Sequence, residues 1–321
     1  MPDLLNISKL SVEYATGKRT KITAVNEASL VIPSTGYTLG LVGESGSGKT
    51  TLGTSMMNLI EPPGRITAGS VNFMGRNVLE MGNEELRKFR WQEISMVYQS
   101  AMNSLNPVKD VSWHIVEVLK QHKKISNAEA QEQTLKLLTE VGIKQDRAKG
   151  FPHEFSGGMR QRVVIAMALA LSPKLLIADE PTSALDVVVQ RQILSLLKRE
   201  VMSRGLSLIL ITHEIAILKG LVENIAVMFR GEIVESGPTD KVLFKPLHPY
   251  TEMLISSLLT MDSGRAMIRS LQAGRETGEA PPEVGCRYAN RCKYVFDRCR
   301  VERPMLLEAE PGRLVACHKY H

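Results

Sequence analysis

The spacing of apolar residues along the chain predicts an α/β protein. Residues 4–14 and 22–32 alternate between apolar and polar side chains, which is typical of two antiparallel strands, here joined by the turn-like sequence TGKRT. An apolar strand over 37–42 then runs directly into a glycine-rich turn. A helix is predicted from residue 49 to about residue 60, where two prolines and a glycine stop it.

Helical spacing dominates the middle of the chain. Residues 100–172 are predicted to be mostly helical, and two apolar strands over 175–178 and 208–211 follow, with a helix over 187–204 between them. This alternation predicts a parallel sheet with helices on its faces. Because the pattern weakens after residue 260, we predict one large domain over 1–260 and a C-terminal extension over 261–321.

Composition and charge add little to this picture. The hydrophobic fraction of 43% is enough for a substantial core, and the net charge of +6 suits either nucleic acid or the anionic inner face of a membrane. The longest apolar run, residues 163–171, is well short of the roughly 18 residues that a membrane-spanning helix needs. The first residues lack the features of a signal peptide, so we expect a cytosolic protein.

The glycine-rich turn fits the phosphate-loop pattern GxxxxGK[ST] between a strand and a helix. Glycines let the backbone approach a phosphate closely, so that N–H groups and the helix N-terminus point at it. Lys49 adds a positive charge at the outer phosphates, and the Thr50 hydroxyl is placed to hold Mg²⁺. The predicted nucleotide contacts are Gly43, Glu44, Ser45, Gly46, Ser47, Gly48, Lys49, Thr50 and Thr51.

Two carboxylates and a histidine are candidates for the chemistry. Asp179 and Glu180 follow an apolar strand; we predict that Asp179 anchors Mg²⁺ through water and that Glu180 is the general base for the attacking water. His213 follows the next strand, at the sheet edge where ligands collect in open α/β folds. From its position alone, His213 is either a hydrogen-bond partner of the γ-phosphate or an ordinary surface histidine.

Residues 155–161, FSGGMRQ, resemble the signature motif of the ATP-binding cassette ATPases, usually written LSGGQ. The resemblance covers essentially the whole chain. It implies a P-loop fold with a RecA-like parallel-sheet core, an N-terminal antiparallel β subdomain and a helical signature subdomain at about 100–172. It also implies that the large domain is an ATPase that hydrolyses ATP with Mg²⁺.

The resemblance assigns roles to further residues. Gln99 corresponds to the Q-loop glutamine, which joins Thr50 and Asp179 around Mg²⁺, and Asp186 corresponds to the D-loop aspartate. His213 corresponds to the switch histidine, which makes it catalytic beside Glu180. Tyr14 lies where the family stacks an aromatic ring on adenine, and Tyr37 is a weaker rival for that position.

Nucleotide sites in this family are shared between two cassettes. The resemblance implies that Ser156, Gly157 and Gly158 act on the ATP of the opposite subunit, with their helix N-terminus aimed at the γ-phosphate. This chain carries one phosphate loop and one signature motif, so it needs a second cassette. We expect a heterodimer with a homologous ATPase subunit, and a homodimer is the alternative.

Other segments resemble the subunits that power bacterial and archaeal di- and oligopeptide importers, namely 97–107, the sequence HPYT at 248–251 and the tail from residue 285. Residues 159–163 and 179–187 favour the first of the two ATPase types that these importers pair. The resemblance implies a peripheral subunit on the cytoplasmic face of the membrane. Its implied partners are two permease subunits and, indirectly, a substrate-binding protein. Nucleic acid is not among the implied partners. Importers of oligosaccharides or nickel, exporters and soluble cassette ATPases are the alternatives.

All four cysteines lie near the C-terminus, at Cys286, Cys292, Cys299 and Cys317. Because a cytosolic chain keeps few disulfides, such a group indicates metal ligands, and its wide spacing fits zinc less well than the tight pairs of zinc ribbons do. Four thiolates suit a [4Fe–4S] cluster, which the resemblance implies, with zinc as second choice and free or oxidised thiols as third. The eight Lys and Arg in residues 285–321 are expected to offset the charge of the thiolates.

Overall fold

The computed structural model describes residues 2–17, 20–259 and 284–321. The strands in these residues are β1 Leu5–Ala15, β2 Lys21–Ile32, β3 Thr38–Val42, β4 Gly64–Phe73, β5 Arg76–Asn77, β6 Ile94–Val97, β7 Leu175–Asp179, β8 Ser207–Thr212, β9 Asn224–Phe229, β10 Glu232–Pro238, β11 Leu307–Glu310 and β12 Arg313–Val315. The α-helices are α1 Lys49–Ser55, α2 Asn83–Gln92, α3 Val111–His122, α4 Asn127–Glu140, α5 Gly157–Leu169, α6 Val187–Arg204, α7 Thr239–Phe244, α8 Pro249–Leu259 and α9 Asp297–Val301.

The chain divides into two compact units. The first comprises Met1–Leu5, Ile32–Thr38 and Asn72–Ile211, and the second comprises Asn6–Val31, Leu39–Val71 and Thr212–His321. The large domain predicted over 1–260 contributes to both units. The predicted boundary between residues 260 and 261 lies outside the described part of the chain. The boundary therefore stays a prediction.

Parallel strands form the centre of the first unit. β7 pairs with β6 on one side and with β8 on the other, and Asp179 lies opposite Ile211 at the end of the pairing. Every residue of β7 is buried, because a strand covered on both faces needs apolar side chains at successive positions. The strands predicted over 175–178 and 208–211, and the helix predicted over 187–204, are confirmed.

Capped helices fill the segment predicted to be mostly helical. The Asp110 side chain accepts a hydrogen bond from the Trp113 N–H at the start of α3, Ser126 caps α4, and Ser156 caps α5. Each cap satisfies an N–H group that has no partner within its helix. One short 3₁₀ turn precedes α3 and two lie between α4 and α5, so the prediction is confirmed for the helices and not for the connections.

The second unit contains two groups of strands. β1 lies between β2 and β4, and the other strands follow the order β11-β12-β10-β9-β3. β3 and β9 are parallel. β9 pairs with β10, β10 with β12 and β12 with β11, and all three of these pairs are antiparallel. The two antiparallel strands predicted at the N-terminus are confirmed. Through β12, the C-terminal residues join the same group of strands as β3, which leads to the phosphate loop.

Helix α1 is shorter than predicted, because it ends at Ser55 and not near residue 60. Asn58 adopts a left-handed conformation with φ of 50°, and the Leu59 N–H returns to the Thr54 carbonyl oxygen at 3.0 Å. This six-residue closure is a common way for a helix to end, and it needs no proline. Strands β4, β6, β9 and β10 are also absent from the sequence prediction.

None of the helices in the described residues is both long enough and apolar enough to cross a membrane.

Candidate nucleotide-binding site

Residues 43–48 connect β3 to α1 in the second unit, and residues 49–51 form the first turn of α1. Gly46 and Gly48 have φ angles of 76° and 99°, which residues with a side chain rarely adopt. A Cβ on Gly48 would lie 2.2 Å from the Ala24 carbonyl oxygen, and one on Gly43 would lie 2.1 Å from that of Met228. The tight path of this loop therefore requires glycine at these positions. Ser45, Gly46 and Thr50 are exposed, so a ligand can reach them.

Lys49 is held across the phosphate loop. Its Nζ donates hydrogen bonds to the carbonyl oxygens of Gly43 and Glu44, at 2.8 and 2.9 Å, and to Ser47 Oγ at 3.3 Å. Lys49 is only 5% exposed, and a buried ammonium group needs such acceptors because it has lost water. The contacts place a positive charge inside the loop that we predict to surround a phosphate.

Glu44 has partners that the sequence analysis misses. Its carboxylate binds Arg291 through two bonds, Nη2 to Oε1 at 2.9 Å and Nη1 to Oε2 at 3.1 Å. Its backbone N–H donates to Tyr250 Oη at 2.9 Å. Tyr250 belongs to the HPYT sequence and Arg291 to the cysteine-containing tail, but no local pattern indicates that either reaches the phosphate loop.

Tyr14, the predicted adenine contact, lies on β1 with its ring against the start of β4. A Cβ on Gly64 would come within 2.6 Å of Tyr14 Cε1, so the ring occupies space that only glycine leaves open. Its rival Tyr37 lies in the other unit, where its N–H donates to Ser207 Oγ at 3.3 Å. The half-buried Tyr14 ring is suited to stacking, because one part of it is fixed and another is accessible.

His213 comes directly after β8, with a side chain that is 54% exposed. Its Nε2 lies 3.9 Å from Glu214 Oε1, and the Glu214 N–H is held by Thr212 Oγ1 at 3.0 Å. The imidazole is therefore accessible to a ligand at the end of the strand.

In the first unit, β7 carries Asp179 and Glu180 to its C-terminal end. Asp179 is 1% exposed. Glu180 has φ of 43°, and its N–H donates to the Ile211 carbonyl oxygen at 2.9 Å. Such a conformation is uncommon for a residue with a side chain and tends to occur at functional sites.

Gln99 and Glu180 meet although they are far apart in sequence. Gln99 Nε2 donates to Glu180 Oε2 at 2.8 Å. The hydrogen bond fixes the orientation of the carboxylate that we predict to be the general base. Two residues assigned to the site from separate motifs are thus brought together.

The signature residues form the start of α5. Ser156 is exposed, and its Oγ accepts a hydrogen bond from the Met159 N–H at 3.3 Å. A Cβ on Gly158 would lie 2.4 Å from Val189 Cγ1 on α6, and one on Gly157 would lie 3.3 Å from Leu185 Cδ2. Gly158 therefore allows two helices to approach closely, in addition to any role toward a nucleotide.

Asp186 acts as the N-cap of α6. Its Oδ1 accepts hydrogen bonds from the N–H groups of Val188 and Val189, each at 3.0 Å. This residue, predicted to be the D-loop aspartate, thus has a structural function within the chain.

All four cysteines line one cavity in the second unit. The cavity is partly open to solvent, and His248 and Tyr288 also line it. Within residues 2–17, 20–259 and 284–321, however, no three His, Cys, Asp or Glu side chains form a group that could hold a metal ion. The predictions of a [4Fe–4S] cluster or zinc are therefore not supported by a formed ligand group, although the four predicted residues share a cavity.

Burial changes the acidity of these thiols. The pKa of Cys286 is raised to about 12, mainly by burial and to a smaller extent by the neighbouring cysteines, against a hydrogen bond from the Tyr288 backbone. Burial also raises the pKa values of Cys292 and Cys317. Metal binding at this cavity would consequently have to displace protons from the thiols.

Comparison with protein families gives two matches. The model for the ABC transporter family matches residues 25–183, and the model for the oligopeptide/dipeptide transporter C-terminal region matches residues 234–299.

Curated relatives are similar over nearly the whole chain. The oligopeptide transport ATP-binding protein OppD of Escherichia coli is 41% identical over an alignment of 323 positions, gaps included. The alignment covers 98% of this chain and 93% of that protein. The dipeptide transport ATP-binding protein DppD of Haemophilus influenzae is 41% identical, covering 98% of this chain and 95% of its own length. The oligopeptide transport ATP-binding protein AppD of Bacillus subtilis is 39% identical, and the alignment covers 100% of this chain and 98% of that protein.

Solved structures show the same fold. The ATP-binding cassette MJ0796, solved as a dimer bound to ADP and Pi, matches 73% of this chain and 98% of its own, with a TM-score of 0.65 and 27% identity. The CbiO1 protein of Clostridium perfringens covers 85% of this chain and 100% of its own, with a TM-score of 0.66 and 22% identity. The predicted fold class is thereby confirmed, except for the cysteine-rich extension.

Proposed function

This chain belongs to the ABC transporter family, and we propose that it binds and hydrolyses MgATP to power the import of dipeptides or oligopeptides. The observation that carries the proposal is the occurrence, in one chain, of an ABC transporter match and a match to the oligopeptide/dipeptide transporter C-terminal region. Its relatives are peptide transport ATP-binding proteins at about 40% identity over almost their full length.

In the proposed reaction, the phosphate loop and Lys49 bind the outer phosphates of ATP. Glu180 accepts a proton from the water that attacks the γ-phosphorus, the bond to the β-phosphate oxygen breaks, and ADP and phosphate leave. His213 donates a hydrogen bond to the γ-phosphate. The hydrogen bond from Gln99 supports this role for Glu180, because it holds the carboxylate in one orientation.

Thr50, Gln99 and Asp179 offer a hydroxyl, an amide and a carboxylate, which are the hard oxygen ligands that Mg²⁺ prefers. These residues would hold the ion, which supplies charge neutralisation on the phosphates when bound. Asp179 is almost fully buried at the end of β7, and a bound cation there would favour the charged form of its carboxylate.

A second cassette completes each nucleotide site in this proposal. The exposed Ser156 and the N-terminus of α5 are accessible to the ATP of another subunit. A homologous ATPase subunit is the proposed partner, and two permeases and a substrate-binding protein complete the importer. Because the permeases span the membrane, this chain is expected to be peripheral, on the cytoplasmic face.

Uptake of labelled substrates tests the transport function. A strain of the source organism without this chain should lose uptake of di- or oligopeptides and recover it with the wild type, but not with Lys49→Ala, because the phosphate loop then lacks its central charge. Lys136→Ala, which removes an exposed lysine of α4, is the matched control and should restore uptake. Unchanged peptide uptake in the deletion strain, or loss of nickel or oligosaccharide uptake instead, would refute the peptide assignment.

We also propose that the cysteine cavity holds a [4Fe–4S] cluster with a structural role, and that zinc is the second choice. Four cysteine side chains at one cavity support this proposal. A single zinc ion would need sulfur atoms about 2.3 Å from the metal and thus tightly grouped. A four-iron cluster is larger than one zinc ion, so its four thiolate ligands stand farther apart than those of zinc.

Metal content tests this proposal. Protein purified without oxygen should be brown and contain about four irons per chain. Replacing Cys286, Cys292, Cys299 or Cys317 by Ser should bleach it, whereas Tyr294→Phe, a change at another residue of the cavity wall, should keep the colour. Colourless protein with one zinc per chain would show that the cavity holds zinc and not a cluster. Colourless protein without metal would contradict both the cluster and the zinc proposal.

A further inference from the structure

The C-terminal segment contacts the phosphate loop at the Glu44 carboxylate. Arg291 and Glu44 form a bidentate ion pair at 2.9 and 3.1 Å, in which the Arg291 side chain is 12% exposed and that of Glu44 is 39% exposed. Two parallel N–H···O bonds to a carboxylate fix the relative orientation of both groups. The contact therefore restrains where the Glu44 side chain can lie.

A second contact holds the backbone of the same residue. The Glu44 N–H donates to Tyr250 Oη at 2.9 Å, and Tyr250 is completely buried. Glu44 is consequently fixed through its main chain and its side chain at the same time. Both anchors lie outside the phosphate-loop sequence.

Arg291 is itself firmly placed. Its guanidinium lies over the rings of Phe229 and Tyr288, at 5.7 and 5.6 Å from their centroids. The Tyr250 ring packs on the same two aromatic residues, at 4.5 Å from Phe229 and 5.5 Å from Tyr288. One aromatic cluster thus carries both groups that hold Glu44.

The charge of Glu44 explains why such a contact matters. ATP brings several negative charges to the phosphate loop, and a carboxylate within that loop repels them unless a cation neutralises it. Arg291 supplies that cation and keeps it in place, since Arg remains charged and its planar fork matches the carboxylate.

We infer that Arg291 is a positioning residue of the nucleotide site, which neutralises and orients Glu44 so that the phosphate loop accepts ATP. This inference rests on the proposed function, because it assumes that the loop binds ATP. It assigns to the cysteine-containing segment a direct effect on nucleotide affinity.

Titration of the full-length chain with MgATP tests the inference. Arg291→Gln should weaken MgATP binding about tenfold, the size expected for losing a charged hydrogen-bonded pair at a partly exposed site. Arg291→Lys keeps the positive charge without the bidentate geometry, so its MgATP affinity should fall less than that of Arg291→Gln. Arg298→Gln, which alters an arginine that pairs with Glu302 away from the loop, is the matched control and should bind as the wild type does.

A double-substitution cycle separates this role from general damage to the fold. Once Glu44→Gln has removed the carboxylate, Arg291→Gln should change affinity less than about twofold, because no charge remains to be neutralised. The loss caused by Arg291→Gln should also shrink at high salt, since salt screens the exposed carboxylate. A loss that persists in the Glu44→Gln background, or unchanged affinity in both Arg291 variants, would overturn the inference. A wild-type chain that binds no ATP would instead refute the proposed function.

Discussion

Replacing Glu180 by Gln is expected to slow ATP hydrolysis by about 10²- to 10⁴-fold, the usual contribution of a general base. Gln has the same shape as Glu and can still accept the hydrogen bond from Gln99, but it cannot take a proton from water. Nucleotide binding should remain, because the phosphate loop is unchanged. The variant should therefore bind MgATP and accumulate with its partner in the closed, ATP-bound form.

Phosphate release, measured beside MgATP binding, checks this result. Glu132→Gln, which neutralises an exposed carboxylate on α4, is the control and should hydrolyse ATP at the wild-type rate. Turnover of Glu180→Gln within a few-fold of the wild type would remove Glu180 from the mechanism. Loss of ATP binding would show that its role is structural.

Replacing Arg313 by Ala should destabilise the second unit by about 3–5 kcal/mol, because it breaks a buried ion pair and leaves one charge without its partner. Both side chains are completely buried, and Arg313 Nη2 lies 2.7 Å from Glu235 Oε1. Glu235 also accepts hydrogen bonds from the N–H groups of Leu247 and His248, at 3.0 and 2.9 Å. The pair therefore joins β12 and β10 to the chain just before α8.

Denaturant unfolding, followed by circular dichroism, measures this loss. Arg298→Ala breaks an exposed pair with Glu302 and should change the unfolding midpoint much less, because water already solvates both groups. Arg313→Ala combined with Glu235→Gln should recover only part of the stability. No buried charge is then left unpaired, but the Gln amide nitrogen cannot accept one of the two N–H bonds that the Glu235 oxygens accept. Equal midpoints for Arg313→Ala and the wild type would contradict the account of this pair.

The sequence predicted those parts of the site that depend on local structure. The phosphate loop can be predicted from the glycines between a strand and a helix. The position of Asp179 can be predicted because it comes at the end of an apolar strand. Both patterns need only a few neighbouring residues, so they can be recognised without knowing the fold. The end of α1 at Ser55 is missed because the prolines after residue 60 are the more visible stop signal.

Contacts between distant parts of the chain could not be predicted in this way. Arg291 reaches Glu44 across 247 positions, and Arg303 reaches Glu27 across 276. The basic residues of the tail were expected to offset the charge of the cysteines. Several of them instead pair with carboxylates of the rest of the second unit, including Arg287 with Glu232 at 2.7 Å.

Peptide uptake by cells that carry Glu180→Gln in place of the wild-type chain is the most direct test of the central claim, that ATP hydrolysis by this chain drives import. Uptake should be abolished while the variant is present in normal amounts, because the nucleotide is bound but not hydrolysed. Uptake at the wild-type rate in these cells would contradict that claim.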